Sequence, residues 1–597
     1  MSSQDVPALQ AEVARLQTEI HALRDGGEEI TIPNYLLTRL EQLGVKHMFG
    51  VPGDFNLRFL DYVEDFPTIE WVGNCNELNA AYAADGYARV NEHSVGVVTT
   101  TFGVGELSAI NGIAGAFSEM VPVLHITGVP STDQQAHKSL LHHTLGDGRF
   151  DAYRKAAEQF TIAQADITSK VTAAAQIDRI LTDLITYVRP VYLTMPTNMV
   201  DQKISSAPLS TPLSRRAQSN DPSVEKFVLD EIAKLAKAAQ SESEKDGIVI
   251  LVDACAIRHH VRDEVKELCE KTGFPVYAAP MGKTAVSEEY ERYGGIYIGS
   301  VTAPEIKEKI ENAKLILSIG SLKSDFNTGN FTYSIPVNNT VELHSEYTQV
   351  QYATFPNIGM KNLLPKLSNI LLSYRSLAIQ VPVPPYKIAV PTESNETITH
   401  TWFWPRVGKF FKPKDIVIAE TGTSSFGLLD TPLPKESVFV SQILFGSIGW
   451  ATGSTLGAAI AGRDLGLGRT ILFTGDGSIQ LTVQEISTMM RLGLKPIIFV
   501  INNEGYTIER CIHGKNRKYN DIANWHWTSL LKFFSDDPSG KLSNSYTVTN
   551  KAELSKLLDD PAFASTEKIQ LVEVMMHKFD APRALKVTTG FNESLEN

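Results

Sequence analysis

The sequence predicts an α/β protein made of three doubly wound, parallel-sheet domains in series, and three observations point there. Its 597 residues exceed what one hydrophobic core can hold, because cores stop growing near about 250–300 residues. From residue 30 onward, short apolar runs alternate with helix-period stretches, the wiring of βαβ units. Two stretches rich in Ser and Pro, residues 205–222 and 381–395, interrupt that alternation and divide it into three.

In chain order, the first element is a heptad pattern: Leu9, Val13, Leu16, Ile20 and Leu23 take the a and d positions of a coiled coil, with Asp5 and Pro7 suited to a helix start. So short a helix is marginal in water, so it either docks on its own body, pairs with a second copy, or frays. Gly26-Gly27 then breaks the chain before the folded body. Residues 94–100, 121–128 and 190–196 read as strands of the first domain, and residues 247–252, 274–279 and 315–319 as strands of the second. Residues 415–419, 470–474 and 496–502 supply the third. The expected domains are an N-terminal helical extension at 1–28, a first α/β domain at 29–210, a central one at 222–385 and a last one at 396–597.

Bulk composition narrows the class. With 43% hydrophobic and 21% charged residues the chain has ample apolar material for packed cores. A net charge of −13, with no stripe of Lys and Arg, argues against nucleic acid as a partner. The four cysteines, Cys75, Cys255, Cys269 and Cys511, form no CxxC pair, which fits a reducing compartment. The strongest apolar run, residues 496–501, is strand length, whereas a membrane span needs about 20 residues. Asp5, Glu12 and Glu19 are foreign to an acid-poor targeting segment, so a cytoplasmic address is expected.

The sharpest local signal is Gly475-Asp476-Gly477-Ser478, directly after an expected strand and before a helix whose apolar positions include Leu481, Ile486 and Met490. Glycine permits close backbone approach, and a helix N-terminus offers unpaired N–H groups to a diphosphate. Asn503 follows 27 residues after Asp476, at the end of the next strand. One helix plus one strand separates them, so a right-handed crossover returns both strand ends to one sheet edge. Asp476, Asn503 and the carbonyl of Gly505 then make an oxygen-only set appropriate to magnesium.

That strand, glycine turn, helix, strand and Asn-Asn order resembles the diphosphate motif of thiamine diphosphate enzymes. Further stretches carry the likeness: Asn74-Cys-Asn-Glu-Leu-Asn-Ala-Ala-Tyr, Val51-Pro-Gly-Asp-Phe-Asn, Leu141-His-His-Thr-Leu-Gly and Gly505-Tyr-Thr-Ile-Glu. From about residue 30 to about 583 the chain resembles the thiamine diphosphate-dependent 2-keto acid decarboxylases, above all the fungal members that act on pyruvate. The resemblance implies the thiamine diphosphate-binding fold, with thiamine diphosphate and Mg2+ as cofactors. It places Thr421, Gly422 and Thr423 beside the diphosphate, with Gly475, Asp476, Gly477, Ser478, Asn503, Gly505 and Tyr506, and makes Asp476, Asn503 and Gly505 the metal ligands. It makes Ile448 an apolar wedge that bends the cofactor, flanked by Ser447 and by Gly446, whose carbonyl meets the cofactor amino group.

Glu77 matches the glutamate that hydrogen-bonds a pyrimidine nitrogen and so turns the cofactor's own amino nitrogen into the general base. Asp54, His142, His143 and Glu509 match the groups that move protons after carbon dioxide leaves, and Ile508 and Ile512 would line a small apolar pocket. Since Glu77 lies in the first domain and Asp476 in the last, the resemblance implies a cofactor shared between two chains, with a homodimer as minimum active unit, commonly paired again into a homotetramer. The expected activity is conversion of pyruvate to acetaldehyde and carbon dioxide. Alternatives are decarboxylation of larger 2-keto acids such as indolepyruvate or phenylpyruvate, and a filamentous storage form assembled through the heptads.

Two positions depart from the family's pattern. Cys255 matches a cysteine linked to substrate activation, but Met120 stands where its histidine partner is expected. Ser425 stands where alanine is usual beside the substrate pocket.

Overall fold

The computed structural model describes residues 27–216, 219–240, 247–535, 539 and 541–590. The heptad positions Leu9 to Leu23 lie outside the described residues. The chain forms two compact units, Met1–Arg216 and Ala217–Asn597.

The first unit holds a six-stranded sheet of β1 (His47–Gly50), β2 (Glu70–Gly73), β3 (Gly96–Thr101), β4 (Val123–Val129), β5 (Ala163–Asp166) and β6 (Val191–Pro196). The spatial order is β2-β1-β3-β4-β6-β5 and every pairing is parallel. One face packs on the helices Ile32–Gln42 and Lys170–Tyr187 through Leu36, Leu40, Ile177 and Leu181 against Val97, Leu124, Ile126 and Leu193. The other face is covered by α1 (Glu77–Val90) and α2 (Val104–Ser118). Here the Ala-rich sequence of α1 has a steric cause. A Cβ on Gly96 of β3 would meet the carbonyl of Ala84 at 2.2 Å, and one on Gly112 of α2 would meet the Ala81 methyl at 2.5 Å. Nothing larger fits between these layers.

The second unit holds two sheets. One contains β7 (Ile248–Val252), β8 (Val276–Ala278), β9 (Tyr293–Ile296), β10 (Leu315–Ile319), β11 (Thr340–Leu343), β12 (Tyr347–Val350) and β13 (Ala353–Pro356), in the order β9-β8-β7-β10-β11-β12-β13. The five strands β9, β8, β7, β10 and β11 are parallel, whereas β12 and β13 run antiparallel. This sheet is therefore mixed rather than wholly parallel. The reason is turn length: three residues join β11 to β12 and two join β12 to β13, too few for a crossover helix. Gln351 in the latter turn takes φ +55°.

The other sheet comprises β14 (Ile416–Ala419), β15 (Val438–Ser441), β16 (Thr470–Gly475), β17 (Ile497–Asn502), β18 (Ser543–Val548) and β19 (Ile569–Met575), all parallel, in the order β15-β14-β16-β17-β19-β18. This is the strand order of the first sheet repeated. Its core is aromatic, with Phe473 and Phe499 stacked at 4.8 Å and Phe403, Phe410 and Phe563 around them. A buried ion pair ties the two sheets of this unit together. Lys283 Nζ lies 2.8 Å from Glu288 Oε1 and donates to the carbonyl of Thr431, while Glu288 Oε2 accepts from the N–H of Leu433.

The nine strands expected from the sequence all form, with ends displaced by no more than two residues. None of the four cysteines is in a disulfide. No helix among the described residues is long and apolar enough to cross a membrane.

Candidate active site

In a sheet of order 2-1-3-4 the chain reverses direction between its first and third strands, and ligands bind at the carboxyl ends of the strands beside that switch point. The first sheet has its switch point between β1 and β3, and the last sheet between β14 and β16. The expected site residues fall at the carboxyl edges of these two sheets. They form two clusters, one in each compact unit.

In the first unit, Val51–Asn56 leaves β1 in a turn closed by the Gly53 N–H donating to Asn56 Oδ1 at 2.8 Å. That turn presents Asp54 at the surface. His142 Nε2 hydrogen-bonds Asp54 Oδ2, and His143 Nε2 lies 4.0 Å from Asp54 Oδ1. The ring of Phe55 stacks on His142 at 5.1 Å, and the two imidazoles meet edge-on at 4.6 Å. His143 has φ +64°, and its carbonyl accepts from Tyr153 Oη at 2.7 Å.

Glu77 opens α1 directly after the turn from β2, with Asn76 capping the helix through the Asn79 N–H at 2.8 Å. The Glu77 carboxylate reaches the first turn of α2, where a Cβ on Gly105 would stand 3.0 Å from Glu77 Oε1. Glu77 is half-buried, and Gly105 leaves it room.

In the second unit four loops converge. Gly475-Asp476 ends β16 and opens α5 (Asp476–Ile479) after α3 (Thr423–Leu429) and α4 (Trp450–Leu465) have crossed the sheet. Asp476 is buried; Oδ1 accepts from the Gly477 N–H at 2.8 Å and Oδ2 from the Gly505 N–H at 3.1 Å. Burial nevertheless pushes its carboxyl up to about 7, outweighing those backbone donors. The side-chain amide of Asn503 settles with nitrogen toward Asp476 Oδ1 (3.1 Å) and the Gly505 carbonyl (2.8 Å), its oxygen accepting from Thr507 Oγ1 (2.9 Å). The sequence-predicted metal set is thus assembled as a convergence of acceptors on one point, which the amide NH2 occupies. A cation at that point would relieve the buried carboxylate and let the amide turn its oxygen inward, so the residues present fit magnesium.

The turn glycines around this point leave space. Gly422 has φ +123° and no atom within 4 Å of a Cβ built on it; Gly446 has φ +65° and only the Thr421 methyl near, at 3.7 Å. Thr421 Oγ1 donates to the carbonyl of Gln442, whose Oε1 accepts from the Ser447 N–H at 2.7 Å. Ile448 is half-buried between Ser447 and Gly449. Gly477 packs on Tyr506, since a Cβ there would lie 2.7 Å from its ring. Thr423 and Ser478 are buried at the first turns of α3 and α5. These open, backbone-lined turns are the sort of cradle a diphosphate needs.

Glu509 lies exposed on α7 (Thr507–Ile512), which follows α6 (Glu485–Arg491) and β17; Ile508 is half-buried and Ile512 57% exposed on the same helix. Ser425 is buried on α3 with Oγ donating to the Gly422 carbonyl at 3.0 Å. Cys255 is buried beside β7, and Met120 takes φ +55° just past α2.

Two buried carboxyl groups next to the candidate clusters escaped the sequence reading. Glu420, at the end of β14, accepts from the N–H groups of Thr421 (3.0 Å) and Gly449 (3.1 Å), and burial pushes it up to about 8. Its signal was present, an acid in the Glu-Thr-Gly-Thr run closing a strand. Glu106 on α2 accepts from the Gly103 N–H at 2.7 Å and from Tyr192 Oη at 2.5 Å, and burial pushes it up to about 7. Gly103 in turn abuts the carbonyl of His143, which a Cβ would meet at 2.3 Å.

Comparison with known proteins assigns the chain to a family. Residues 30–151 match the model of the thiamine pyrophosphate enzyme N-terminal TPP binding domain, 235–362 the central domain, and 420–530 the C-terminal TPP binding domain. The chain is similar to pyruvate decarboxylase of Candida glabrata, 47% identical over 577 residues, covering 95% of this chain and all of that protein. It is also similar to pyruvate decarboxylase of Aspergillus fumigatus, 47% identical over 95% of this chain and 98% of the relative. Pyruvate decarboxylase isozyme 1 of Saccharomyces cerevisiae is 46% identical over 94% of this chain and 99% of its own length. With three matched domains in series and this likeness along nearly its whole length, the chain belongs to the thiamine pyrophosphate enzymes, within the group that contains the fungal pyruvate decarboxylases.

Proposed function

We propose that the protein is a thiamine diphosphate- and magnesium-dependent carboxy-lyase that converts pyruvate to acetaldehyde and carbon dioxide. The observation that carries this reading is the convergence of Asp476, Asn503 and Gly505 beside open glycine turns in a chain 47% identical to pyruvate decarboxylase along 95% of its length. When bound, thiamine diphosphate supplies a nucleophilic carbanion for the keto carbon and a sink for the electron pair that carbon dioxide leaves behind.

The chain's own residues do the rest. Asp476, Asn503 and the Gly505 carbonyl hold the metal; Thr421, Gly422, Thr423, Gly475, Gly477, Ser478 and Tyr506 cradle the diphosphate. Gly446 would offer its carbonyl to the cofactor amino group, Ile448 beside Ser447 would bend the cofactor, and Glu77 would hold a proton at the ring nitrogen. Asp54, His142, His143 and Glu509 deliver a proton to the substrate carbon and remove one from the product hydroxyl. Residues 29–210, 222–385 and 396–597 form the pyrimidine-binding, central and diphosphate-binding domains, after an extension at 1–28. A homodimer is the smallest active form, a homotetramer its working form, and the cytoplasm its address.

A coupled assay with alcohol dehydrogenase and NADH tests the activity: purified protein with both cofactors oxidises NADH in proportion to pyruvate, and a flat trace retires the proposal. Running indolepyruvate and phenylpyruvate alongside ranks the substrates. Glu77→Gln, which keeps size and loses the carboxylate, lowers kcat by about 10²–10⁴-fold with cofactor binding retained; an unchanged kcat removes Glu77 from the mechanism.

A further inference from the structure

The group Asp54, His142 and His143 is built as a ligand set as well as a proton store. Each residue can offer one donor atom, and the three atoms lie within 4.8 Å of one another. Both Nε2 atoms already face the same carboxylate, His142 on Oδ2 and His143 at 4.0 Å from Oδ1. Donors around a tetrahedral ion with bonds of about 2.0–2.1 Å stand roughly 3.3 Å apart, so modest side-chain rotation closes the set.

The rings are held for this. Phe55 lies nearly parallel to His142 at 18°, and the left-handed backbone of His143 is fixed by Tyr153 Oη and by Gly103 against its carbonyl. The side chains of His142, Asp54 and His143 are 57%, 49% and 30% exposed, which leaves an approach for an ion and a fourth position for water. Two imidazoles with one carboxylate select zinc-class ions, whereas the oxygen-only group at Asp476 selects magnesium.

We propose that Asp54, His142 and His143 form a binding site for a zinc-class divalent cation, separate from the magnesium site at Asp476. Inhibition follows from occupation, and this consequence alone rests on the proton-handling role assigned to the three residues above, because a metal on both imidazoles leaves neither free to carry a proton.

The test uses holoenzyme in excess magnesium and thiamine diphosphate. Bound zinc is counted by equilibrium dialysis, and cobalt is used as a visible probe of a site with imidazole donors. Wild type is expected to take one zinc per chain beyond magnesium. Loss of an outer partner alone costs about 10–100-fold in metal affinity, so Asp54→Asn, His142→Gln and His143→Asn should each weaken zinc by about tenfold or more. Asn is chosen at 143 because it tolerates a positive φ. Cys75→Ser, which removes the exposed thiol, should bind zinc as wild type does. Zinc affinity unchanged in all three site variants, or lost in Cys75→Ser, overturns the site. Zinc that binds through these residues without slowing pyruvate turnover upholds the site and overturns their catalytic assignment.

Discussion

At the scale of single residues, Gly505 is the position of the candidate site with the least room for a side chain. Gly505 has φ +123°, and a Cβ on it would stand 2.2 Å from the carbonyl of Asn520. Gly505→Ala therefore strains a backbone whose N–H and carbonyl both face the Asp476 group, at a cost of about 1–3 kcal/mol. Thiamine diphosphate with magnesium should raise the Tm of the wild type and fail to raise that of the variant, because a ligand stabilises only the fold that binds it. Glu106 makes a pH prediction. Its carboxyl rises from 4.5 to about 7 on folding, so the folded state binds the proton that the unfolded state releases between these values. Stability of the first unit is then full below about pH 4.5 and falls as pH rises to about 7, by at most about 3 kcal/mol. Glu106→Gln, which mimics the protonated form, should flatten that slope in hydrogen exchange of β3 and α2; an unchanged slope assigns the titration elsewhere. Glu106 gave no sign of its burial in the sequence, where a lone acid reads as solvated, and Glu420 gave only its place in the Glu-Thr-Gly-Thr run at a strand end. Only the packing of several elements around each carboxyl reveals it. Asp476 and Asn503, by contrast, could be paired from spacing alone, because strand, helix and strand return the chain to one edge.

At the scale of elements, helix α3 illustrates how tightly the last domain is fitted. A Cβ on Gly427 would lie 2.0 Å from the indole of Trp404, whose Nε1 donates to His400 Nδ1 at 3.0 Å. Gly427→Ala must push α3, and Gly422 at its start, away from that indole, costing about 1–3 kcal/mol. Denaturant unfolding followed by tryptophan fluorescence measures it, and a midpoint equal to wild type would show that the helix pair yields freely. The strands that could be read in advance are the ones buried on both faces, such as Ile248–Val252 and Ile497–Asn502, because their apolar runs are unbroken. Several that could not are short or polar: Tyr293–Ile296 carries two glycines, Ala163–Asp166 has four residues, and Ser543–Val548 is a polar edge, while Gln570 and Glu573 interrupt the apolar run of Ile569–Met575. The antiparallel β12 and β13 were hidden for a further reason, since a turn of two or three residues leaves little trace in composition.

At the scale of the whole molecule, the central and last sheets share one compact unit, and the Lys283–Glu288 pair is buried where they join. Removing one partner strands the other charge away from water. Lys283→Ala should thus cost about 3–5 kcal/mol and split a single unfolding transition of this unit into two, as seen by calorimetry. One transition at the wild-type temperature would mean that the junction is held by other contacts. Three domains in series could be anticipated from the two Pro-rich interruptions, while the fusion of two of them into one unit could not, because it depends on side chains far apart in sequence. The strand order shared by the first and last sheets has a further consequence. One blueprint is used twice with different contents: one copy carries two imidazoles and the half-buried Glu77 carboxylate, the other a glycine turn and the buried Asp476 carboxyl. The proposed function draws on both copies, so a lesion at either Glu77 or Asp476 alone is expected to cut pyruvate turnover.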